Sequence, residues 1–233
     1  MRIWHLAQRL SVALLMAISG SLFLWGCSDG SMPAEPDGES VMYSQTSRIR
    51  GLDPAVAGEV SSSLAIARIY EGLLEYDYLA RPYKVVPLLA AEMPDISADG
   101  LVFTFKIRKG IYFHDAPCFP GGKGRELEAQ DFAYSIKRVM DVKNVSSGGW
   151  AFNNRIVGIN AFHEASKLPE PTDYDMELEG LKAIDKYTLQ ITLTEPYPQL
   201  LYILAMHYSF AVPREAVEYY GKEIVNHPVG TGP

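Results

Sequence analysis

Cysteine is almost missing from this chain: Cys27 and Cys118 are the only two in 233 residues, too few for a disulfide framework. Positive charge is also short, with 21 Lys and Arg against 28 Asp and Glu and a net charge of -7. No cluster of basic side chains is available for a phosphate backbone, so nucleic acid is excluded as a partner. Tryptophan occurs three times, at Trp4, Trp25 and Trp150. Catalytic signatures are missing as well. Gly121-Gly122-Lys123-Gly124 lacks the spacing and the following Ser or Thr of a phosphate loop, and His163-Glu164 has no second histidine four residues on. No Gly-x-Ser-x-Gly elbow occurs, and no spaced His/Cys set suggests a metal. The sequence therefore points away from an enzyme, and no cofactor is expected.

A long apolar run occurs only at the start. Arg2, His5 and Arg9 precede 16 mostly apolar residues from Leu10 to Trp25, and the run closes on Leu24-Trp25-Gly26-Cys27. A basic start, a short apolar stretch and a small-residue exit form the layout of a secretory signal, and the run is shorter than the ~20 residues of a spanning helix. Residues 1-26 are thus expected to be removed. The following stretch, 27-40, is rich in Gly, Pro, Ser and acid, cannot bury a core, and reads as a flexible tether. Cys118 is then an unpaired, half-buried thiol.

The folded body is expected over 41-233. Val41 to Ser44 opens like a strand. Ser61, Ser62 and Ser63 look like N-caps for a helix whose apolar positions run from Leu64 through Ile66, Ile69 and Tyr70 to Leu73 and Leu74. Ser97 to Gly100 reads as a turn before the strand Leu101 to Ile107. From Glu128, Phe132, Ile136, Val139 and Met140 mark an amphipathic helix with Asp131, Lys137 and Arg138 away from its apolar face. Leu181 to Ile184 and Thr188 to Leu193 flank Asp185-Lys186-Tyr187 as a hairpin, and short helices are expected at Pro198 to Met206 and Pro213 to Tyr220. Irregular alternation of strands and helices predicts an α/β layered protein.

Several segments in order resemble the peptide- and nickel-type extracellular solute-binding proteins of ABC importers, the fifth family of that group. They are Leu52-Asp53-Pro54, Ile69 to Asp77, Pro87 to Glu92, Asp99 to Gly110 with Phe113-His114-Asp115, Ala129 to Arg138, and Val229-Gly230-Thr231-Gly232-Pro233. Leu24 to Cys27 resembles a bacterial lipobox, which implies diacylglycerol on the Cys27 sulfur and a lipid-anchored protein on the periplasmic or extracytoplasmic face of a bacterial membrane.

The resemblance implies a class II periplasmic-binding-protein fold. The chain would supply its first lobe, a mixed sheet with flanking helices, truncated at the hinge with the second lobe absent. It implies reversible binding of a peptide for an ABC permease and ATPase, by a monomer. A nickel chelate, haem, sugar or opine, or a truncated sensor, stays open as the alternative. It places Ser61, Ser62, Ser63 and Leu64 at the cleft, where helix capping is an equally good reading of the serines. Trp150, between glycines and an aromatic loop, and His207 are further ligand candidates, the latter also readable as packing. Thr231 and Gly232 become hinge residues.

Overall fold

The computed structural model describes residues 47-233. The expected signal segment, the tether with Cys27 and the strand Val41 to Ser44 lie outside the described residues. Six strands and five α-helices follow in chain order: α1 Val60–Ile66, β1 Leu74–Tyr76, β2 Val85–Pro87, β3 Asp95–Ile96, β4 Val102–Lys106, α2 Ala129–Met140, α3 Ile159–Ala165, β5 Leu181–Asp185, β6 Thr188–Thr192, α4 Leu200–Ile203 and α5 Arg214–Tyr220. Among the described residues, β3, β4, β6 and β5 form a four-stranded sheet in that order, and β1 and β2 form a separate ribbon. Every strand pairing among them is antiparallel.

The expected turn before β4 and the expected β5–β6 hairpin are both present, and local chemistry explains each. At the turn before β4, Gly100 takes φ 72°, Ser97 N–H donates to the Val102 carbonyl at 2.9 Å, and the Asp99 carboxylate accepts from Leu101 N–H at 3.1 Å. Between β5 and β6, the Asp185 carboxylate accepts from Tyr187 N–H at 2.8 Å, and the ladder shifts register between Ala183 and Asp185. The central pair aligns Phe103 with Ile191 and Phe105 with Leu189, so alternate side chains drive into one core with Phe132, Ile136 and Phe152.

Helix α2 lies across β5 and β6 and carries α3 beside it. Its first turn is fixed when the Asp131 carboxylate accepts Glu128 N–H at 2.8 Å, and Ala129 N–H donates to Lys186 O in the β5–β6 turn at 2.8 Å. Asp131, Lys137 and Arg138, expected away from the apolar face, are nonetheless buried. Each has a partner from elsewhere in the chain. Asp131 receives the Arg125 guanidinium, Lys137 Nζ donates to the carbonyls of Tyr174 and Met176, and Arg138 grips Asp53. Helix α2 is thus a core helix covered on both sides.

The first expected helix is shorter than its apolar spacing suggested. It ends at Ile66, and Leu74 opens β1. The Leu73 carbonyl accepts from both Leu88 and Ala90 N–H at 3.0 Å, and Gly72 is pressed against the Phe210 ring, so strand pairing takes over from helix there. Helix α4 covers only Leu200–Ile203 of the expected Pro198 to Met206, and α5 starts at Arg214 with Pro213 at its N-cap. Gly124 marks a close backbone approach, since a Cβ there would lie 1.8 Å from the Phe113 carbonyl. Cys118 is half-buried and free, and desolvation raises its thiol pKa.

Candidate binding site

One stretch of chain, Ala57 to Glu71, organises the candidate site, with α1 at its middle. Glu59 is the N-cap of α1, so Ser61, Ser62 and Ser63 lie inside its first turns and do not act as caps. Their hydroxyls are used internally. Ser61 donates to Arg48 O at 3.0 Å, Ser62 to the Glu59 carboxylate at 2.9 Å and Ser63 to Glu59 O at 3.0 Å, and Ser62 Oγ accepts Arg50 N–H at 3.1 Å. The hydrogen bond to Ser62 lowers the Glu59 pKa. Val60 and Leu64, one turn apart, leave α1 with an outward apolar face, 75% and 56% exposed.

Ahead of α1, the chain meets an aromatic group. His207 lies in a 3-10 turn over His207–Ser209, half-buried, with Nε2 at 3.0 Å from the Ala57 carbonyl. A carbonyl only accepts, so Nε2 carries the proton. Burial lowers the His207 pKa, which keeps the ring neutral near pH 7. The Tyr208 ring lies 4.0 Å from that of His207 and meets the Trp150 ring edge-on at 6.4 Å. Trp150 lies on a 3-10 turn over Gly149–Ala151 and is 55% exposed. Thus the structure brings Trp150 and His207 together through Tyr208, with the start of α1 tied to them by Ala57.

Beyond α1, the same stretch holds Thr231 and Gly232. Thr231 Oγ1 donates to the Glu71 carboxylate at 2.7 Å, Gly232 N–H donates to Ile69 O at 2.9 Å, and Val229 N–H donates to the Tyr70 hydroxyl at 3.1 Å. His114 fastens the other side, its N–H donating to Gly230 O at 2.9 Å and its Nε2 bonded to Gly232 O. Burial is the main cause of the raised Tyr70 pKa, which keeps that phenol protonated and able to bond. Gly230 is required here, because a Cβ would lie 1.9 Å from Ile69 O.

Sequence reasoning did not place Ala57, Glu71 or His114 in this arrangement. Their roles come from backbone groups and from partners remote in sequence, which leave no local pattern. Two grooves of about 480 and 500 Å³ lie elsewhere, one lined by Arg125, Asp131, Arg214 and Glu215, the other by Lys137, Met176, Leu178 and Lys182. The charges of the first are matched internally, Arg125 with Asp131 and Glu215, and Arg214 with Asp175 and Glu218. Neither groove includes a candidate ligand residue. Among the described residues, no group of three His, Cys, Asp or Glu could hold a metal, and no helix is long and apolar enough to cross a membrane.

The sequence profile described as "Bacterial extracellular solute-binding proteins, family 5 Middle" matches residues 84-233. The chain belongs to this family. Among its relatives, the glutathione-binding protein GsiB of Escherichia coli O6:K15:H31 is 30% identical over 197 residues, covering 84% of this chain and 31% of that protein. The periplasmic oligopeptide-binding protein OppA of Escherichia coli K12 is 31% identical over 186 residues, 79% of this chain and 31% of that protein. The chain spans about a third of the length of these curated relatives. Among solved structures, Listeria monocytogenes OppA bound to peptide superposes with a TM-score of 0.67 at 25% identity, over 81% of this chain and 34% of that one. The Escherichia coli murein tripeptide binding protein MppA gives 0.61 at 29% identity, over 78% and 32%. The family's α/β first-lobe architecture is therefore the fold of residues 47-233.

Proposed function

We propose that this chain is the first lobe of a lipid-anchored receptor that binds peptides reversibly and delivers them to an ABC permease and ATPase. One observation carries the reading. A single segment, Ala57 to Glu71, is joined at one end to Trp150, Tyr208 and His207 and at the other to Thr231 and Gly232. Groups that would touch a ligand and groups at the crossover are therefore parts of one mechanical unit. Named relatives that bind glutathione, oligopeptides or a murein tripeptide support the choice of ligand class.

In this reading, Ser61 to Leu64 contribute backbone groups and the apolar Leu64 side chain, since the serine hydroxyls already have partners. Trp150 and His207 add an aromatic face and a hydrogen-bonding ring. An extended peptide is held by strand-like main-chain hydrogen bonds, with water filling space around its side chains. Ligand favours a closed state only by touching both sides of a cleft, and Thr231 and Gly232 lie where such a motion is transmitted. Residues 1-26 act as the signal peptide, Cys27 carries the lipid, 27-40 is the tether, and 41-233 the lobe. The protein works as a monomer outside the cytoplasm, and no bond of the cargo is broken.

Titration calorimetry of the chain with a pool of tri- to pentapeptides, and separately with glutathione, tests this reading. Saturable heat with the peptide recovered intact by mass spectrometry is expected. Absence of heat with every peptide, or recovery of cleaved peptide, overturns it.

A further inference from the structure

The β1–β2 ribbon carries a loop, residues 77-84, that stands clear of the rest of the chain. Tyr78, Leu79 and Tyr83 are 86%, 84% and 62% exposed, and Arg81, Pro82 and Lys84 are exposed as well. The loop is nonetheless held in one shape. Asp77 N–H donates to Lys84 O at 2.9 Å, and the Asp77 carboxylate accepts Leu79 and Ala80 N–H at 3.0 and 3.2 Å. Arg81 donates to Ala80 O at 2.7 Å, and its guanidinium lies 4.5 Å from the centre of the Tyr83 ring. At the base, the Tyr76 ring meets those of Tyr83 and Tyr202 at 6.5 and 6.1 Å. Asp77, the one acid of the loop, is thus turned onto its own backbone, and Glu75 lies further down on β1. Arg81 and Lys84 form no ion pair among the described residues.

Ordered apolar side chains left in water mark a contact surface, and the composition of this one selects the partner. Tyrosine seats at the headgroup level of a bilayer, leucine reaches the acyl boundary, and Arg and Lys are drawn to anionic lipid phosphates. Residues 78-84 offer all of these and no acid, on a chain of net charge -7 whose remaining surface the same phosphates repel. A loop this short supplies far fewer than the roughly 20–30 residues that a standard protein interface takes from each side.

We infer that the 77-84 loop is a membrane-contact tip: Tyr78 and Leu79 enter the interface of an anionic bilayer, and Arg81 and Lys84 lie on its phosphates. The tip rests on the lipid-anchored reading above, which keeps the chain beside a bilayer, and adds to it one fixed orientation of the lobe.

The full chain with Trp4→Phe, Trp25→Phe, Trp150→Phe and Tyr78→Trp carries a single tryptophan, at the tip. A companion carries Tyr219→Trp instead, on α5, where the side chain is also exposed. Both are mixed with vesicles of phosphatidylcholine, with or without phosphatidylglycerol, whose acyl chains are brominated to quench indole; flotation reads attachment. At the tip, a blue shift and loss of emission are expected with phosphatidylglycerol, little change without it, and little change at position 219 in either vesicle. Adding Leu79→Ser to the tip protein should restore much of the emission while flotation and circular dichroism stay unchanged. Equal quenching at both positions, or in both vesicles, overturns the tip. A chain that floats yet is unquenched at position 78 overturns the tip and leaves the anchor standing, and a chain that floats with neither vesicle overturns both. A blue shift without quenching that grows with protein concentration also overturns it, and assigns the loop to a second copy of the chain.

Discussion

Removing the Asp53 carboxylate breaks a buried, doubly hydrogen-bonded ion pair with Arg138. Asp53 and Arg138 side chains are each 3% exposed, and the guanidinium donates to both carboxylate oxygens at 2.9 and 2.7 Å. Asp53 also accepts Ala55 N–H at 3.1 Å, so one carboxylate closes the turn before α1 and neutralises Arg138 in the last turn of α2. Arg138 Nε is buried without a partner, which leaves the cation dependent on this single acid. Asp53→Ala strands a buried charge, a change that costs about 3–5 kcal/mol. For a chain of this size, that is a fall in Tm of roughly 6–20 °C. Replacing both members, Asp53→Leu with Arg138→Met, removes the stranded charge and should recover most of the loss. Urea unfolding followed by far-UV circular dichroism reads all three proteins. A loss under about 1 kcal/mol for Asp53→Ala would refute the reasoning, as would a double variant no better than the single.

Gly230→Ala, which places a Cβ 1.9 Å from Ile69 O, should destabilise the chain by about 2 kcal/mol or more. Gly149→Ala meets nothing within 4 Å and should be near neutral in the same denaturation series. Glu126 accepts Gly110 N–H at 2.7 Å and the Tyr187 hydroxyl at 2.8 Å and pairs with Lys186, which together lower its pKa from 4.5 to about 2. A depressed folded-state pKa contributes stability above the unfolded value, so this contribution is lost as pH falls from about 4.5 toward 2. Glu126→Gln should flatten that part of the profile in thermal melts, and an unchanged slope would contradict the assignment. Metabolic labelling with palmitate in a bacterial host should mark the wild-type chain and lose the signal in Cys27→Ser; equal labelling of both would place the lipid elsewhere.

Local signals were enough for the hairpins. Asp99-Gly100 and Asp185-Lys186-Tyr187 set their turns with their own side chains and backbone, so their reading needed no distant partner. The α/β class and the family also followed from the sequence. The environment of α2 did not. Its apolar periodicity was real, yet Arg138 is buried by an acid 85 residues earlier, and Lys137 by carbonyls about 40 residues later. The serines before Leu64 had the composition of caps, but Glu59 is the N-cap of α1 and the Ser62 and Ser63 hydroxyls turn back to it. Leu73 and Leu74 continued a helical spacing, but pairing with the segment from Val85 to Ala90 claims them. At the site, Trp150 and His207 were legible as residue types. Their junction through Tyr208, and the hold of Glu71 and His114 on the segment from Gly230 to Gly232, required the fold.

Amide hydrogen exchange on the intact chain, with and without a saturating peptide pool, locates the ligand directly. Slowed exchange confined to Ala57 through Leu64, the turn carrying Trp150 and the turn beginning at His207 is the predicted result. Protection appearing instead along the groove of Arg125, Asp131 and Arg214, or nowhere, would contradict the claim that this segment receives the cargo.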